Sequence, residues 1–266
     1  VRLYWLLKGS QDKYPLKGNH MIPSTDIIKA LNLSSLIYVD GDAVTSTGLE
    51  LLLKLNDEKT DTQGAVLIDR AQQKVFIVFR GTSSKQDMLT DIDFIQDKTK
   101  IKDEDCRIHN GFLSAYDSIK LKLFCLPFEK WDDYQIFICG HSLGGALATV
   151  CAAYLPTESP IFLITFGSPR VGDKRFVDIV NKKVKQYLRF VHGYDLVTSI
   201  PKINYKHAGT EIRLDDNGKQ ISYFNVFKRL LYWFKGKQKF EATSVKDHFM
   251  DNYIRVVDIW IKNQEK

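Results

Sequence analysis

Apolar positions along the chain fall into short runs of strand type and longer stretches with helical spacing. Gly64 to Asp69 and Lys74 to Phe79 are two β-rich runs separated by a polar turn, which predicts a hairpin. From Pro23 to Val39 the spacing predicts a helix, with Ser24 or Thr25 as cap and Ile27, Ile28, Leu31 and Leu36 as its apolar face. Phe112 to Leu126 repeats that periodicity through Leu113, Tyr116, Ile119, Leu123 and Leu126, and Pro127 stops it. Beyond it, Ile136 to Cys139, Ile161 to Phe166, Tyr187 to Val191 and Thr210 to Leu214 read as strands, and Asp173 to Val184 as a helix. Strands alternating with helices from about residue 110 predict a mostly parallel sheet covered on both faces. No internal repeat or low-complexity linker interrupts the pattern, so one α/β domain over residues 1–266 is expected.

One junction carries candidate chemistry. Gly140-His141-Ser142-Leu143-Gly144 follows an apolar strand and leads into Gly145-Ala146-Leu147-Ala148, so it reads as strand, tight turn and helix. A serine there is lifted out of the sheet, with glycines where a Cβ would strike the neighbouring strand or helix. The amide of Leu143, at the positive end of the following helix, is free to face an oxyanion. Arg80-Gly81-Thr82-Ser83-Ser84 breaks the strand before it and offers a second donor near Thr82. The pattern expected of an α/β-hydrolase puts the acid next in the chain and the histidine last, each on a loop after a strand. Asp195 and His248 satisfy that order. Asp173 is the rival acid, but its position suits a helix start, where a carboxylate offsets the helix dipole. Of the other histidines, His20 and His109 come before the serine, His141 lies inside the elbow pointing elsewhere, and His192 and His207 fit structural roles.

Composition adds little to this picture. Of 266 residues, 44% are hydrophobic and 26% charged, which is ordinary for a globular protein. No apolar run approaches the roughly 18 residues that would span a membrane. The net charge of +6 is concentrated late: residues 1 to 170 carry 19 Lys and Arg against 21 Asp and Glu, and the remainder 19 against 11. A basic surplus of this kind suits an anionic membrane surface or a nucleic acid, although a solvated face is the commoner reason for scattered lysines, and no nucleic-acid motif accompanies it. Cys106, Cys125, Cys139 and Cys151 show neither a C-x-x-C pair nor a metal-ligand spacing, so unpaired thiols and no metal site are expected.

Taken together, Phe79-Arg80-Gly81-Thr82, His109-Asn110-Gly111-Phe112, the elbow with its small-residue helix, Thr165-Phe166-Gly167-Ser168-Pro169-Arg170-Val171-Gly172, Asp195-Leu196-Val197, Ile200-Pro201, His207-Ala208-Gly209-Thr210-Glu211 and Asp247-His248 resemble the class 3 lipases. The resemblance runs in order from about Gly64 to Tyr253. It implies an α/β-hydrolase fold with a lid over the active site, and Ser142 as nucleophile, Asp195 as acid and His248 as base. Thr82 and Leu143 would donate to the oxyanion. It implies a serine ester hydrolase acting on acylglycerols at a lipid interface, without metal or cofactor, with phospholipids or soluble esters as alternative substrates. A non-catalytic lipase-like interaction module is the alternative of another class, against which the intact Ser142, Asp195, His248 and Thr82 argue. A transient membrane or lipid-droplet surface, a monomer, and a secreted or peripheral location go with that reading.

Two stretches bear on substrate access. Lys85 to Gln96 carries Met88, Leu89, Ile92, Phe94 and Ile95 at near-helical spacing, and matches the family's lid position. Tyr223 to Lys239 crowds Phe227, Leu230, Leu231, Trp233 and Phe234 among lysines and Arg229. It is either an element inserting at an anionic lipid surface or a cover over the sheet or acyl pocket.

Overall fold

The computed structural model describes residues 22–39, 43–81, 95–221 and 246–264. Its centre is a seven-stranded sheet in the order β1-β2-β3-β6-β7-β8-β9. The first three strands, Glu50–Asp57 (β1), Thr62–Asp69 (β2) and Lys74–Phe79 (β3), pair antiparallel. From β3 onward, Gln135–His141 (β6), Ile161–Phe166 (β7), Gln186–His192 (β8) and Thr210–Leu214 (β9) are parallel. A separate antiparallel pair, Gln96–Ile101 (β4) and Glu104–His109 (β5), lies off this sheet.

The middle strands are apolar at nearly every position because both faces are covered. Val75, Ile136 and Ile161 share one register row and face a layer built from Asn110–Phe124 (α2), Leu143–Tyr154 (α3) and Lys174–Lys183 (α4). The next row, Phe76, Phe137 and Phe162, faces Ser24–Leu36 (α1) and Met250–Gln264 (α5). These three rings stack at centroid spacings of 5.1 Å and 5.1 Å. Such contacts strengthen the sheet beyond simple area burial.

Several expectations need correction. The start of α1 is capped by neither Ser24 nor Thr25: Pro23 holds the cap position, and its carbonyl accepts from the amides of Asp26 and Ile27. Ile28 is 37% exposed, whereas Asp26 is buried. Asp26 faces the sheet because Lys74 Nζ contacts both its oxygens at 2.8 Å, so an ion pair replaces an apolar contact. Strands β1, β4 and β5 were not anticipated. Gln96, expected at the end of the lid stretch, instead opens β4. All four cysteines are free thiols, with Cys139 and Cys151 buried as small apolar groups and Cys125 exposed.

Candidate active site

At the elbow, register pairing sets Phe79 against Gly140, and Ser142 follows one residue after β6 ends. Ser142 has φ 58° and ψ −128°, a conformation that costs a non-glycine residue about 1–3 kcal/mol. The turn is held by Ser142 N donating to Phe166 O at 2.9 Å and Gly145 N donating to Ser142 O at 2.9 Å. Leu143 is the first residue of α3, where the geometry of a helix start leaves its amide without an acceptor inside the helix. The Cβ of Ser142 stands 3.2 Å from where a Cβ on Gly81 would lie, so the loop leaving β3 runs beside the serine.

Asp195 lies beyond β8 and is buried, as is His248 just ahead of α5. His248 Nδ1 is 2.7 Å from Asp195 Oδ2. The same oxygen accepts from Tyr253 Oη at 2.6 Å, while Oδ1 accepts from the amide of Val197 at 2.9 Å. Burial, and next the charge of Asp195, raise the pKa of Tyr253 well above a normal tyrosine, keeping it a donor. With its Nδ1 proton directed at a carboxylate, neutral His248 presents a lone pair on Nε2. That nitrogen is buried and has no hydrogen-bond partner among the described residues. Gly167, at φ 61°, packs against this pair: a Cβ there would sit 2.9 Å from Asp195 Oδ2 and 3.0 Å from His248 Cε1. Ser142 and the pair thus border the same Phe166-Gly167 step. A strained serine, a histidine with a directed lone pair and a buried carboxylate form the parts of a proton-relay nucleophile.

The remaining candidates fall into place around this centre. Asp173 caps α4, its side chain accepting from Phe176 N at 2.9 Å. His207 donates from Nε2 to Thr198 O at 2.7 Å, and burial holds its pKa well below normal. His192 lies between the Asp247 carbonyl at 3.0 Å and Asp216 Oδ1 at 3.2 Å, steadying the segment that carries His248. His141 does not point elsewhere: its ring is 4.7 Å from that of His248, centroid to centroid, and contacts the His248 backbone. Sequence reasoning missed Tyr253 and Tyr38, which lie on or next to helices with no motif to mark them. Ile95 is 55% exposed, and its carbonyl accepts from Tyr205 Oη and the amide of Asn110. Thr82, the lid candidates Met88, Leu89, Ile92 and Phe94, and the candidate interface residues Phe227, Leu230, Leu231, Trp233 and Phe234 lie outside the described residues. Among the described residues no helix is long and apolar enough to cross a membrane.

A strand–elbow–helix serine at the carboxyl end of a parallel sheet, with the acid and histidine following in chain order, defines the α/β-hydrolase fold. Solved structures agree. The triacylglyceride lipase of Rhizomucor miehei superposes with a TM-score of 0.67 at 27% identity, covering 74% of this chain and 82% of that one. A triacylglycerol lipase whose catalytic centre is a serine protease triad gives 0.66 at 26% identity, covering 74% and 82%. In sequence, a Rhizomucor miehei lipase is 32% identical over 171 residues, 60% of this chain and 47% of the relative. The secreted mono- and diacylglycerol lipase 1 of Fusarium solani is 34% identical over 163 residues, 59% of this chain and 49% of the relative. The chain thus spans about half the length of these two lipases. Residues 76–205 match the family described as lipase (class 3).

Proposed function

We propose that the protein is a serine carboxylic ester hydrolase, a lipase that hydrolyses acylglycerols at a lipid interface. The observation that carries this reading is the buried His248–Asp195 pair, whose Nε2 has no partner among the described residues, set against the same backbone step as strained Ser142. His248 takes the proton of Ser142 as Oγ attacks the ester carbonyl. Asp195 orients the imidazole and stabilises its cationic form. The tetrahedral oxyanion is met by the amides of Leu143 and Thr82, each such donor being worth about 3 kcal/mol in the transition state. As the alcohol leaves it takes the proton from His248, and the acyl group stays on Ser142. Water, deprotonated by His248, then attacks the acyl carbon, and the fatty acid departs as Ser142 regains its proton. Neither step requires a metal or an organic cofactor.

The acylglycerol preference is supported by what the relatives are named for, the triacylglyceride lipase of Rhizomucor miehei and the mono- and diacylglycerol lipase of Fusarium solani. We take residues 1–266 as one catalytic domain that works as a monomer at the lipid surface, secreted or peripheral. The stretch 85–94, ahead of Ile95 and β4, would act as its lid. Ser142→Ala is expected to abolish hydrolysis of p-nitrophenyl butyrate and labelling by a fluorophosphonate. Full activity in that variant would overturn the assignment. Triolein, diolein, phosphatidylcholine and short soluble esters, assayed below and above their aggregation thresholds, test the substrate. A flat response across the threshold, or preference for phosphatidylcholine, would overturn the acylglycerol reading.

A further inference from the structure

His141, the residue before Ser142, is buried and takes no step in the reaction just described. Its Nε2 is 2.8 Å from the backbone carbonyl oxygen of His248, and its Nδ1 is 2.9 Å from Tyr38 Oη. A carbonyl can only accept, so the ring proton sits on Nε2. Burial, and next the neighbouring His248, push the pKa of His141 down to about 3, which leaves the ring neutral. Nδ1 therefore accepts, and Tyr38 donates to it. Tyr38 Oη also packs directly against Gly81, the residue before Thr82, where a Cβ would collide with it. Each donor in this series has one acceptor, and its direction is fixed by the backbone carbonyl at its end.

The series joins segments that are remote in sequence. Tyr38 follows α1, His141 ends β6 and His248 precedes α5. We propose that Tyr38 and His141 are positioning residues, and that the directed series Tyr38 O–H to His141 Nδ1 and His141 Nε2–H to the His248 carbonyl registers the base against Ser142. The inference rests on the roles given above to Ser142 and His248. Its physical core is the tautomer. Without the Tyr38 hydroxyl, Nδ1 competes for the ring proton. The Nε2 lone pair would then face the lone pairs of the His248 carbonyl and push the base out of place.

The test uses the full chain and p-nitrophenyl butyrate below its aggregation threshold. Tyr38→Phe keeps the ring and removes only the hydroxyl. It is expected to lower kcat about tenfold while KM stays within about twofold, since misplaced groups affect the transition state more than binding. His141→Asn and the double variant complete a cycle in which the double loss does not exceed that of His141→Asn alone. Folded Tyr38→Phe with unchanged kcat, even at a lowered melting temperature, would overturn the proposal, as would losses that multiply. A measurement on the unmodified protein does not depend on any variant folding: the imidazole nitrogen NMR shifts of His141 should report a proton on Nε2. A proton on Nδ1 would overturn the series. If the unmodified protein hydrolyses no ester, the functional reading falls and the positioning roles with it. Normal hydrolysis alongside any of the contrary results removes only the positioning roles.

Discussion

At Gly144 there is no room for a methyl group. A Cβ would collide with the carbonyl oxygen of Phe79 and stand 2.9 Å from the carbonyl carbon of Arg80, both backbone atoms that cannot swing aside. The elbow can therefore approach β3 closely only with glycine here. Gly144→Ala is expected to cost about 1–3 kcal/mol of stability, the usual range for overpacking. It should also lower hydrolysis, because Phe79 and Arg80 lead directly into Gly81 and Thr82. A urea midpoint and a kcat measured on the same preparation check both effects. An alanine variant as stable and active as the parent would show that the elbow yields more readily than its contacts imply.

Helix α1 is tied to the sheet by an ion pair between a fully buried Asp26 and a largely buried Lys74. Breaking such a pair from one side strands a charge, so Asp26→Ala is expected to lose about 3–5 kcal/mol, read from urea unfolding. Asp26→Leu combined with Lys74→Met should recover much of that loss, since two apolar groups leave no stranded charge. A double variant no better than Asp26→Ala would contradict this. The same helix shows how far the sequence could be read. Its extent was legible from periodicity, but its buried face was not, because an aspartate holds a core position through a partner 48 residues away. Strands β6, β7 and β8 were plain as continuous apolar runs. The pair β4 and β5 was hidden, because Gln96 to Ile101 and Glu104 to His109 are mostly polar and bury little beyond Ile101, Cys106, Ile108 and His109. The elbow and the order of Ser142, Asp195 and His248 followed from local motifs. Tyr253 on Asp195 and Tyr38 on His141 did not, because side-chain contacts across 58 and 103 residues leave no mark in a single sequence.

Across the whole molecule, two neutral buried histidines set a pH dependence. His141 is pushed down to about 3, and His207 well below its usual value, in both cases chiefly by burial. Unfolded histidines take up a proton near pH 6.5, so below that value the unfolded chain binds more protons than the folded one. The stability these groups contribute is thus present above about pH 6.5 and is lost as pH falls toward 3. For His141 the full loss is on the order of 4–5 kcal/mol. Urea midpoints at pH 8, 6 and 4.5 should fall in that order, and His207→Gln should make the decline shallower. An unchanged slope in that variant would assign the acid sensitivity elsewhere.

The pairing of Asp195 with donors from the far end of the described chain also bears on refolding. Each half of that pair lies 53 residues from its neighbour in the set: Ser142 to Asp195, and Asp195 to His248. Parallel strands and contacts this distant in sequence close late, because loop entropy is lost before the contacts form. Helices and local turns should therefore recover their ellipticity well before ester hydrolysis returns. On the proposed function, recovery of hydrolysis then serves as a kinetic marker for the last long-range closure, and a stopped-flow comparison of the two signals would time it.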